Sequence, residues 1–153
     1  MTRTLLTTFA LVGLLVSGCG GKARHEGHTE KDSFERAADT KTCVADAKPY
    51  SGTTPTNFAK GFPLPKGAVL FDVEDRGAEG AIGTAVVEAD LKAVLAVFNG
   101  QAQSQGYKIT EGETETHDAE ANWAGNGYRG RWSIRDSATC DGQVVIQLLS
   151  KKQ

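Results

Sequence analysis

Apolar residues recur at clear helical spacing in one stretch of this chain, and elsewhere they recur mainly at every second position. The helical stretch begins after Asp90, a residue type that caps helix N-termini, and sets Leu91, Val94, Leu95, Phe98 and Ala102 on one face. Gly106 ends it, so the pattern predicts a helix over 91–105 with Gly100 as a weak point inside. Period-two runs flank it: Val69, Phe71 and Val73; Ile82, Thr84 and Val86; Val144, Ile146 and Leu148. Tyr107–Glu115 and Tyr128–Asp136 read as the two arms of a hairpin between the helix and the last run. The expected order is ββαβββ. Short connections favour antiparallel pairing, and one helix covers one face of a sheet, so the fold class is α+β: a two-layer sandwich, mainly antiparallel, with the helix packed on one face. Phe62-Pro63-Leu64-Pro65 is an extended lead-in to the first strand, and the Thr-, Ser-, Gly- and Pro-rich 44–61 reads as an irregular arm held down by Cys43.

The N-terminus has a different character. Arg3 precedes an almost uncharged apolar run, Leu5 to Val16, well short of the roughly 20 residues needed to span a bilayer as a helix. The run ends in Val16-Ser17-Gly18-Cys19. A basic start, an apolar run and an aliphatic residue with two small ones before a cysteine together resemble the lipobox of bacterial lipoproteins. The competing readings are an ordinary secretory leader with a chance cysteine, or a buried N-terminal helix with a structural thiol. The resemblance implies that 1–18 is a signal peptide, that Cys19 carries a diacylglycerol and becomes the first residue, and that its amino group is acylated too, commonly with palmitate. Two or more acyl chains meet the requirement for stable anchoring. It also implies an extracytoplasmic location. Gly20 stands where an inner-membrane retention signal has aspartate, so the outer membrane is favoured where two membranes exist.

Segment 19–42 is then the lipidated N-terminus and a tether. Its many charged side chains and single large apolar residue, Phe34, leave too little surface to bury for independent folding. The folded unit is 43–153. With Cys19 assigned to lipid, Cys43 and Cys140 are the one pair left, near the two ends of that unit, and an oxidising compartment favours a disulfide between them over two separate buried thiols. The whole layout, with Pro63-Leu64-Pro65-Lys66-Gly67-Ala68 leading into the first strand, resembles small bacterial lipoprotein domains.

A formal net charge of -2 gives no basic excess and argues against nucleic acid as a partner. Gly125-Asn126-Gly127-Tyr128-Arg129-Gly130 spells G-x-G-x-x-G, but a dinucleotide site needs a helix after those glycines, and Tyr128, Trp132 and Ile134 continue at strand period instead. Turn glycines leading into a strand explain it better. Arg129, Arg131 and Arg135 form a cationic stripe that could hold an anion, or pair across strands with Glu111, Glu113 and Glu115. Since Ile109 shares parity with those glutamates, either a bulge near Gly112 or a projecting strand end is required. Asn122, Trp123, Asn126 and Tyr128 gather aromatic rings beside amides, the chemistry of a sugar or peptide site; the alternative is an aromatic plug over the core. With Arg129 and Arg131 they are the candidate ligand-binding residues.

His25 and His28 form an H-x-x-H in the tether, a weak metal signal, and His117 stands beside Asp118. There is no G-x-S-x-G, H-E-x-x-H or P-loop, so no catalytic or metal set is assigned and no cofactor is required. The leading functional expectation is a lipid-anchored cell-envelope binding or interaction module whose partner is an envelope protein, a peptide or a glycan. The alternatives are an envelope hydrolase or isomerase using His117 with Asp118, and metal capture by His25 and His28.

Overall fold

The computed structural model describes residues 41–153. The leader, the lipobox with Cys19, and the tether with His25, His28 and Phe34 lie outside the described residues. Among those described, no helix is long and apolar enough to cross a membrane.

Six strands form one sheet: β1 (Val69–Asp75), β2 (Ala81–Glu88), β3 (Lys108–Thr114), β4 (Asp118–Gly125), β5 (Tyr128–Asp136) and β6 (Gln143–Lys152). Their spatial order is β1-β2-β6-β5-β4-β3, and every neighbouring pair is antiparallel. After β2 a helical crossover carries the chain to the far edge at β3. A meander returns through β4 and β5, and β6 fills the gap beside β2. The C-terminal strand is therefore central.

The sheet-dominated antiparallel fold agrees with expectation, but the order is ββαββββ rather than ββαβββ. Asp118–Gly125 is an additional strand, and the arms Tyr107–Glu115 and Tyr128–Asp136 do not pair with each other because β4 lies between them. The physical reason is composition. The inward residues Ala119 and Ala121 bring little apolar bulk, and Asp118, Glu120 and Asn122 opposite them are poor strand formers, so the period-two signal of β4 is faint. The β3–β4 pairing shifts register between Ile109 and Gly112, an irregularity of the bulge kind, which was one of the two ways of reconciling the parity of Ile109 with that of the glutamates.

The helix is shorter as an α-helix than its spacing predicts. α1 covers Leu91–Ala96, capped by Asp90, whose carboxylate accepts the Ala93 N–H at 2.7 Å. The chain continues as a π-helical turn through Val97–Ala102, the stretch containing Gly100. Leu91, Val94, Phe98 and Ala102 remain buried through the change, while Leu95 is only partly so. Phe98 packs on Trp132 of β5, with ring centroids 5.1 Å apart. Phe58 and Phe62, from the arm before β1, complete this layer. The buried Ser150 hydroxyl fastens that arm to β6 by accepting the Ala59 N–H at 3.0 Å and donating to the Asn57 carbonyl at 2.9 Å.

Cys43 and Cys140 are joined by a disulfide, with Cα atoms 5.7 Å apart across 97 residues of sequence. It pins the start of the folded unit to the β5–β6 connection.

Each glycine of the G-x-G-x-x-G run has a structural task. Asn126 (φ 51°) and Gly127 (φ 81°) are the two central residues of the β4–β5 hairpin, where both must be left-handed. Gly130 lies opposite Trp123, and a Cβ there would fall on the Leu149 carbonyl oxygen and within 2.9 Å of the Trp123 ring. Gly130→Ala is expected to destabilise the fold by about 1–3 kcal/mol. A urea midpoint that falls with unchanged slope is the expected readout, and an unchanged midpoint would contradict the packing described.

Candidate functional site

The residues singled out from the sequence do not converge on one site. Trp123 points into the helix-side core, where it is 2% exposed and packs against Phe62 at 4.7 Å and Tyr107 at 5.5 Å between ring centroids. It has no free face for stacking a ligand. Tyr128 shares that side, and its hydroxyl donates to the Thr56 carbonyl at 3.3 Å. Asn126 sits in the hairpin turn and donates to the Gln105 carbonyl at 3.0 Å, tying the turn to the end of the helical crossover. Asn122, Arg129 and Arg131 project from the opposite face.

The arginine stripe finds different partners from those expected. With β4 interposed, Glu111, Glu113 and Glu115 are one strand too far away. Arg131 instead forms a two-pronged ion pair with Glu120, the Nε arm measuring 3.1 Å, and Arg135 approaches Asp118 at 3.7 Å. His117 lies in the β3–β4 turn with its side chain 78% exposed, and its Nδ1 contacts Asp136 at 3.0 Å rather than Asp118. Among the described residues no group of three or more His, Cys, Asp or Glu side chains is placed to hold a metal.

The more informative feature is one that the sequence reading passed over. Strand parity divides the sheet into two faces. Ala81, Ala85 and Val87 of β2 and Val144, Ile146 and Leu148 of β6 point toward the helix and belong to the main core cluster. Ile82, Thr84 and Val86 point the other way, with Val145, Gln147 and Leu149, so they do not share a face with Val144, Ile146 and Leu148. Ile82 is 4% exposed, Val86 1% and Val145 2%, as buried as core residues, yet they lie outside the cluster that the helix and Phe58–Phe62 arm complete.

At the centre of this second face stands Gln147, 0% exposed, with neither carboxamide atom hydrogen bonded. Its direct neighbours across the strands are Thr84 on β2 and Ser133 on β5, both buried. Glu120 of β4 continues the row beyond Ser133. The second face is therefore an apolar strip over β2 and β6, crossed by one row of hydroxyl and amide groups and bordered on the β5–β4 side by the Arg131–Glu120 and Arg135–Asp118 pairs.

A signal for this face was present in the sequence. Ala81–Val87 and Val144–Leu149 are apolar on both parities, the mark of strands buried on two sides, while the described residues hold one helical crossover to cover them.

Comparison with known proteins gives no relative: no family model, no curated protein and no solved structure matches the chain.

A buried amide without partners costs about 1–3 kcal/mol. Gln147→Met keeps the volume and removes the unpaired groups, so it is expected to raise stability by about 1 kcal/mol in urea titration. A loss of stability would mean that the carboxamide is paired.

Proposed function

We propose that the protein is a lipid-anchored cell-envelope lipoprotein whose folded head is an extracytoplasmic interaction module, and that the second sheet face is its working surface. The observation that carries the reading is Gln147: a fully buried, unpaired carboxamide set in an apolar strip. Such a group costs stability while it stays enclosed, and a partner that opens this face and reaches the carboxamide would supply the missing hydrogen bonds. A strip with one amide, two hydroxyls and a charged border suits an extended peptide or a protein surface. It suits a glycan less well, because the aromatic ring best able to stack a sugar, Trp123, is enclosed in the core.

The anchor in this reading is acyl-Cys19, with residues 1–18 removed and the membrane reached through lipid alone; the outer membrane is the favoured site in a two-membrane cell. The lipobox pattern supports it, and so does the Cys43–Cys140 disulfide, which suits an exported protein. Nucleic acid has no part in it, and no cofactor is needed.

Intact mass of the protein extracted from membranes is expected to show loss of 1–18 and a gain matching a diacylglycerol with or without a further acyl chain. Cys19→Ser is expected to release the protein into the soluble fraction. Release of the unaltered protein by alkali without detergent would overturn the anchor.

A further inference from the structure

We infer that Lys108, Arg129 and Lys151 form a docking site for an acidic segment of the partner, at the exposed end of the second sheet face. The inference rests on the reading of that face as an interaction surface and adds the charge class of what it engages.

The site comes from strand register rather than from sequence spacing. Lys108 of β3 lies opposite Ala124 of β4, Ala124 opposite Arg129 of β5, and Arg129 opposite Lys151 of β6. These residues make one row across the strands. Ala124 has the parity of Asn122, and Lys151 that of Gln147 and Leu149, so the whole row belongs to the second face. It lies at the β4–β5 hairpin end of the sheet, separated from the row of Glu120, Ser133 and Gln147 by that of Asn122, Arg131 and Leu149. Lys108 and Arg129 are exposed and Lys151 is half-buried, so a ligand reaches these cations without opening the apolar strip.

The charge of the row is unbalanced. Ion pairs among the described residues join Arg131 to Glu120, Arg135 to Asp118, Arg76 to Glu74 and His117 to Asp136, and none reaches Lys108, Arg129 or Lys151. The adjoining row supplies no counter-charge, because its Arg131 is already matched by Glu120. Arg129 and Lys151 are direct cross-strand neighbours, which sets like charges on one face with Cβ atoms about 5 Å apart and works against folding. In a chain of formal net charge -2, cations gathered in a row that holds no carboxylate point to an anion supplied from outside. The arginine stripe along β5 is thereby divided. Arg131 and Arg135 are engaged by carboxylates of β4, and the anion site at Arg129 runs across the strands instead of along one.

The layout suits carboxylates spread along a polypeptide better than one compact anion. Arg129 offers a planar fork matched to a carboxylate, with a lysine point charge on either side. Ala124 leaves a gap between Lys108 and Arg129, whose strands are roughly 10 Å apart. An extended chain repeats its same-side residues about every 6.7 Å, so neighbouring acidic side chains of one segment fall within reach of the flexible cations.

The test titrates the purified full-length chain, in nonionic detergent, into a fluorescent peptide of alternating glutamate and valine, with a peptide of glutamine and valine as the uncharged match. Anisotropy is expected to show the acidic peptide binding roughly tenfold or more tighter than the glutamine one. The double variant Arg129→Gln/Lys151→Gln is expected to lose roughly tenfold in affinity for the acidic peptide. Lys92→Gln, which removes a cation from the helix on the other side of the sheet, is expected to lose none. Without ligand, Arg129→Gln is expected to raise the urea midpoint, because it ends the opposition to Lys151. Equal affinity for the two peptides would leave the interaction surface standing and overturn its acidic class. Equal losses in Lys92→Gln and the double variant would overturn the site, as would a lowered urea midpoint in Arg129→Gln, which would mean that the guanidinium has a partner within the fold. Failure of the acidic peptide to bind would overturn it too, including the case where phosphatidylglycerol vesicles or inorganic pyrophosphate bind through Arg129 and Lys151 instead.

Discussion

One helix cannot cover two faces, and the central strands of this sheet are apolar on both. That mismatch organises the molecule. β2 and β6 lie side by side, each with consecutive residues buried on alternate faces, and their length of contact makes them the spine on which the other strands are hung. On the helix side the requirement is met within the described residues, by α1 and its π-helical continuation together with Phe58 and Phe62. On the other side Ile82, Val86 and Val145 are as deeply buried, outside the cluster that those elements close, and the polar row of Thr84, Gln147 and Ser133 runs through the same ground.

The two faces differ in character because their packing partners differ. The helix side is aromatic: Phe62, Phe98, Tyr107, Trp123 and Trp132 meet at centroid distances from 4.7 to 5.5 Å, and Gly130 is bare so that Trp123 fits beside it. Rings of this size fill a space closed by three different elements. The second side is aliphatic, with β-branched side chains at Ile82, Val86 and Val145 and an arginine–carboxylate border. Gln147 costs stability on this side, since an apolar residue in its place packs without an unpaired amide. The disulfide and the Val44–Gln143 hydrogen bond together hold the start of the described chain against the β5–β6 connection and β6.

Much of this was legible from residue pattern alone. The helix start at Asp90, its buried face, the Cys43–Cys140 pair and the turn nature of Asn126-Gly127 follow from spacing and local chemistry, which depend on few long-range contacts. β4 was hidden because alanine signals burial weakly, and its absence from the pattern sent Arg131 and Arg135 to the wrong glutamates. The candidate ligand residues were chosen by residue type, and type does not encode direction. Trp123 and Asn122 are adjacent in sequence and therefore point to opposite faces of the strand. The second face escaped because Ile82, Thr84 and Val86 alternate as neatly as any core-facing set; only the equally apolar residues between them reveal that both sides are buried.

The account stands on the burial of the second face in the intact protein, and methyl-detected NMR with a soluble paramagnetic co-solute reads that burial directly. Methyl groups of Ile82, Val86 and Val145 are expected to be as shielded from the co-solute as those of Val94 and Ile134 in the helix-side core. Relaxation enhancement at those three comparable to that of surface methyls would show an open, solvated sheet face, and the reading of this surface as one built to be covered would be wrong.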